Sequence, residues 1–95
     1  MARVTLHPQC AADLQQSVLW YETRGAGLGI QLMQELRHHL SYLQSYPRAG
    51  RMDYDLHREL PLKRFPYVVV YLDFAEELLI KAIFHTSRNP NSKLR

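Results

Sequence analysis

Ninety-five residues, 46% of them apolar and 22% charged, suit one globular domain and exclude both a disordered chain and a multidomain enzyme. A chain this short buries only roughly 60–65% of its unfolded surface, so its core must be compact. The net charge of +3 comes from twelve Lys and Arg against nine Asp and Glu, and the single cysteine, Cys10, excludes an internal disulfide and fits a reducing cytoplasm.

Residues 3–7 alternate polar and apolar side chains and predict a short first strand. Pro8 suits a first helical turn, where no amide donor is required and its φ is already set. Ala11, Leu14, Val18 and Tyr21 then recur at helical spacing, with Trp20 on the flank. Gly25 predicts a helix stop, and Gly27 and Gly29 a flexible connection. A second helix carries Met33, Leu36, Leu40 and Leu43 on one stripe, with Leu32 beside it, and ends at Tyr46-Pro47. Together these predict a helical hairpin.

After Pro47 the period changes to that of strands. Residues 56–62 predict one strand, interrupted by Pro61. Residues 67–73 and 78–85, rich in β-branched and aromatic side chains, predict two more, joined antiparallel by residues 74–77. The tail 86–95 is polar and carries Asn89-Pro90, a turn and an extended end. The expected fold is α+β, in the order β-α-α-β-β-β, as one domain over residues 1–95. Its helical hairpin packs on one face of a small, mainly antiparallel sheet.

Strict alternation sorts the last two strands into faces. Val68, Val70 and Leu72, with Leu78, Ile80, Ala82 and Phe84, form a wholly apolar face expected to meet the helices. The opposite face holds Tyr67, Val69, Tyr71, Leu79, Lys81, Ile83 and His85. Both helices are needed on the first face, so the second is expected to lie bare and to receive a partner. Charge is also uneven: residues 1–56 carry five groups of each sign, and 57–95 carry seven basic against four acidic. That asymmetry points to an anionic partner, nucleic acid or an acidic protein, docking near those later segments, although on charge alone a solvated basic surface is the simpler reading. No apolar run nears ~18 residues and no signal peptide precedes the first strand, so neither membrane spanning nor export is expected.

The stretches Arg58-Glu-Leu-Pro-Leu-Lys-Arg64-Phe-Pro-Tyr67, Val68-Val-Val-Tyr71 and Ile80-Lys-Ala-Ile-Phe-His85-Thr-Ser-Arg88-Asn-Pro90 carry a resemblance. So do Ala12-Asp-Leu14 and Trp20-Tyr-Glu22 ahead of the glycines. In this order and spacing the chain resembles the RelE/ParE toxin superfamily, nearest to its plasmid-stabilisation branch. The resemblance implies the same fold, a cognate antitoxin protein that wraps the toxin, and growth arrest when the toxin is free. It implies no cofactor and no metal.

Two modes of action follow from the resemblance. Ribonuclease members cleave mRNA on the ribosome without a metal, the 2′-hydroxyl attacking the adjacent phosphate. That chemistry needs a base, an acid, and cations for the charge on phosphorus. Arg64, His85 and Arg88 are the candidate catalytic residues: the imidazole titrates near neutrality and the guanidinium groups hold phosphate oxygens. Against that pattern, residues 48–57 lack a lysine pair and no tyrosine follows Arg88. ParE-like members instead inhibit DNA gyrase without enzymatic action, and a non-toxic interaction module is a third class. On either toxic reading Arg58, Lys63, Tyr67, Tyr71 and Lys81 are candidate contacts to target or antitoxin.

Other signals carry less. Gly25-Ala-Gly-Leu-Gly29 is no dinucleotide fingerprint, since it follows a helix and Ile30 stands where the pattern needs glycine. His38 and His39 diverge by about 100° around a helix and are not spaced to share a metal. Cys10 falls in a first helical turn, a setting that can lower a thiol pKa, although a packed, idle thiol is the simpler expectation.

Overall fold

The computed structural model describes residues 2–53 and 56–87. A first strand β1 (Arg3–Leu6) leads into helices α1 (Pro8–Arg24) and α2 (Leu28–Ser45). Strands β2 (Arg51–Met52), β3 (Arg58–Pro61), β4 (Tyr67–Phe74) and β5 (Glu77–His85) follow. The two helices pack against one five-stranded sheet of order β1-β5-β4-β3-β2, antiparallel except where β1 runs parallel to β5. The expected α+β order is thus observed, with β2 as an addition too short to show any period. Residues 56–62 form a shorter strand than expected, because Leu56 sits at φ 66° in a bend before β3.

Local chemistry explains the helix ends. Pro8 opens α1, and His7 Nδ1 accepts the Gln9 amide at 3.1 Å as its cap. At the far end Gly25 N–H closes the helix on Tyr21 O, and Gly27 caps α2 at φ 86°. Glu22 then reaches forward from α1, its carboxylate accepting the Gly29 amide at 2.7 Å and the Gly27 amide at 3.3 Å. Those amides hold its carboxyl below the usual range. The helices cross so closely at Gly29 that a β-carbon there would sit 2.6 Å from Val18 O.

The core joins Leu14, Leu32, Leu36 and Leu43 to Tyr67, Val69, Tyr71, Leu78, Ile80 and Ile83. On α2 the buried stripe is centred on Leu32, Glu35, Leu36, His39 and Leu43, with Met33 and Leu40 at its margin, so it is rotated from the expected one and includes two polar residues. The sheet faces are also corrected. Tyr67, Val69 and Tyr71 point at the helices, and Val68 and Val70 lie on the other side of β4. The pairing explains why β5 contributes both parities to the core. Val70 opposes Ala82 but Tyr71 opposes Ile80, so Lys81 is an extra residue in a bulge, and the strand changes face across it. Leu78 and Ile80 meet the helices before the bulge, and Ile83 meets them after it. Tyr67, Tyr71 and Ile83 are therefore sealed inside, and the argument for a bare sheet face bearing them fails. The far face is not bare either: Val68 and Val70 are buried, and Leu72, Leu79, Ala82 and Phe84 are half-buried.

Candidate functional site

Among the described residues the sheet leaves a gap beside β5. β1 runs beside only Glu77–Ile80 of β5, ending with the His7 amide on Ile80 O at 3.0 Å. Beyond it, among the described residues, Lys81–His85 has no strand on that side, and the first half of α1 crosses there instead. A cleft of about 580 Å³ opens between them. His7, Asp13, Trp20, Lys81 and His85 line it with Cys10 at its floor. It mixes an amine, two imidazoles and a carboxylate with the Trp20 ring.

His85 ends β5, its Nδ1 accepting the Ser87 amide at 3.1 Å and its ring standing edge-on to Tyr67 with centroids 5.2 Å apart. A ring nitrogen that accepts must be unprotonated, so the proton of the neutral imidazole is on Nε2. Gln9 Nε2 holds the Asp13 carboxylate at 2.9 Å. Arg24 lies 4.5 Å from the Trp20 ring centroid, a cation–π contact on the half-exposed indole. Burial, aided by the nearby Asp13 carboxylate, pushes the Cys10 thiol up to about 11, despite its place in a first helical turn. It is a packed, protonated thiol at neutral pH.

Several other nominated residues are turned inward. Arg58 is turned inward: its Nε donates to Asp73 at 3.1 Å and its Nη1 to Gly50 O at 3.0 Å. Tyr71, expected as an exposed contact, is fully buried. Its hydroxyl donates to Pro47 O at 2.7 Å and accepts the Gly50 amide at 2.9 Å, and burial pushes its pKa up. Tyr67, also expected as a contact, is 2% exposed and packs against Tyr21. Alternation grouped both rings correctly with Val69, but the row that meets the helices is theirs and not the all-aliphatic one.

Lys63 and Arg64 carry exposed side chains on the turn between β3 and β4, beside the end of β5, where the Thr86 amide donates to Pro66 O at 2.9 Å. Neither lines the cleft that holds His85 and Lys81. Arg88 lies outside the described residues. Sequence reasoning missed the contributions of His7, Asp13 and Trp20, which meet β5 only because β1 stops short. It also missed Glu35, whose one available signal was a carboxylate one turn from Leu32 on an otherwise apolar stripe.

Among the described residues no group of three His, Cys, Asp or Glu could hold a metal, and no helix is long and apolar enough to cross a membrane. A family model described as the ParE toxin of the type II toxin–antitoxin system, parDE, matches residues 4–90. Ten chains of solved structures are similar. One belongs to the structure described as the chromosomal ParDE TA system from P. aeruginosa, with TM-score 0.76 and 24% identity, covering 90% of this chain and 96% of that one. At that identity the likeness is one of fold. A comparison with curated proteins yields no match.

Proposed function

This chain belongs to the ParE toxin family of type II toxin–antitoxin systems, within the RelE/ParE superfamily, and on that premise we propose that it arrests growth by binding DNA gyrase, with a cognate antitoxin as its silencing partner. The observation that carries the binding mode is the outward pair of cations, Lys63 and Arg64, on a turn fixed by its own backbone bonds. Cleavage through a 2′-hydroxyl gathers base, acid and cations around one phosphate. Here His85 lies beside the β3–β4 turn, paired with Tyr67 and next to the Thr86 amide that donates to Pro66 O, but its ring packs edge-on to Tyr67 at the cleft. Arg58 is spent on Asp73 and Gly50, and Tyr67 is enclosed. What remains outward is a pair of cations on an ordered turn, an arrangement for recognising an acidic surface.

The antitoxin is assigned to the cleft. The side of β5 left open beyond Ile80 offers backbone groups to an extended segment, and Lys81 favours an acidic one.

Purified protein is expected to block gyrase supercoiling, or to trap cleaved DNA, while leaving mRNA on translating ribosomes intact. Unaffected gyrase together with message cut in the ribosomal A site would replace this reading with the ribonuclease one. One arrangement favours that second reading: His85, His7 and Lys81 share a cleft and offer acid–base groups and a cation. In that case His85→Ala would abolish cutting.

A further inference from the structure

Glu35 lies near the middle of α2, where the helix meets the sheet, and is only 8% exposed. Withdrawing a carboxylate from water is costly unless hydrogen bonds replace its hydration. Here the replacement comes from one short segment. The Lys63 amide donates to Oε2 at 2.5 Å, and the Arg64 amide lies within bonding distance of both oxygens, at 3.1 and 3.0 Å. Bonds from N–H groups to an ionised acceptor are stronger than neutral ones.

The segment is held at its other points too. Leu62 N–H donates to Tyr67 O at 2.9 Å and Tyr67 N–H to Phe65 O at 2.8 Å, while the Leu62 and Phe65 side chains are buried. One turn on, His39 Nδ1 lies 2.9 Å from the Glu35 backbone carbonyl, a group that can only accept. Against this fixed backbone, the side chains of Lys63 and Arg64 are exposed.

A link between two antiparallel strands needs no buried charge, because short hairpin connections close with their own backbone. Ordering a binding loop before contact reduces the freedom lost on association. We propose that Glu35 is a positioning residue for toxicity: by holding the two amides, it sets the direction in which Lys63 and Arg64 meet an acidic surface on the target. This role rests on the binding reading above, and it makes the Lys63–Arg64 turn the contact that acts.

The test uses Glu35→Gln, which sets an amide donor against the two backbone donors, and Glu35→Asp, which keeps the charge but is one methylene short. Whichever folds is compared with wild type, alone and combined with Arg64→Ala. Hydrogen exchange is measured at the Lys63 and Arg64 amides. Potency is measured as the dose halving gyrase supercoiling and as growth arrest in cells, at a temperature where all variants are folded. The expected result is faster exchange at the two amides and potency weaker by ~10-fold or more. Arg64→Ala should then be costly in wild type but add less than ~2-fold in the Glu35 variant, as for groups that act as a unit. A Glu35 that only supports the fold would lower Tm and leave the Arg64→Ala penalty undiminished. That outcome, or full potency with both amides exchanging freely, overturns the role. Growth arrest with gyrase untouched sinks the gyrase reading alone, and the same cycle is then read on growth. A wild-type protein that arrests nothing overturns both.

Discussion

Tyr71 uses both halves of its hydroxyl in the interior, donating to Pro47 O and accepting from Gly50 N–H. A β-carbon at Gly50 would lie 2.6 Å from that hydroxyl, so the loop after α2 closes onto the ring with no room for a side chain. Tyr71→Phe keeps the ring and orphans the buried Gly50 amide and the part-buried Pro47 carbonyl. It should cost about 1–3 kcal/mol, seen as a lower urea midpoint with unchanged slope. Glu22 gives a prediction in pH. Its carboxyl is held low in the fold, so its contribution is complete above the unfolded carboxyl pKa of about 4.3 and is lost as pH falls through the lower folded value. Glu22→Gln should therefore lower the thermal midpoint at neutral pH, modestly because the group is solvated. The gap to wild type should close in acid. A gap constant across pH would assign the effect to geometry instead of charge. At this scale the sequence was informative where a residue acts alone, as with Pro8 and Gly25. It was silent where a distant backbone supplies the partner, as for Glu35 and Tyr71.

The helices and the order of the longer elements along the chain were legible because their periods are long enough to register. The face assignment was not. Alternation has period two, so one extra residue reverses every side chain beyond it. The bulge at Lys81 does this to β5, and no turn residue marks it. Tyr67 and Tyr71 went to the wrong face because an all-aliphatic row looked like the better core, whereas the helices pack on the row that carries the aromatic rings. The helical hairpin yields its own prediction. On an exposed helix, replacing glycine by alanine gains about 1 kcal/mol. At Gly29 the new carbon would meet Val18 O at 2.6 Å and Glu22 Cγ at 2.8 Å. Crowding should win, so Gly29→Ala should destabilise by about 1–3 kcal/mol in thermal or urea unfolding. A stabilised variant would mean the helices part easily.

For the molecule as a whole, family membership and fold were visible in the order of short motifs, since 4–90 matches one family model throughout. The candidate cleft was visible only in part. Lys81 and His85 could be nominated from sequence, but His7, Asp13 and Trp20 join them through a termination of pairing that no local pattern announces. If an acidic antitoxin segment lies there, Lys81→Glu should weaken its binding ~10-fold or more, equivalent to about 1.4 kcal/mol, and the loss should shrink as salt rises. Calorimetric titration at two ionic strengths checks this; unchanged affinity would place the antitoxin on another surface.

The parallel pairing of β1 with β5 also has a consequence in time. Arg3–Leu6 is made before either helix, yet finds its neighbour only when Glu77–Ile80 has been made. β5 is moreover the seam between β1 and β4, so a nascent polypeptide lacking it has an unjoined sheet. Translation that stalls before Leu78 thus releases no poison. The fold is complete only once that seam is stitched.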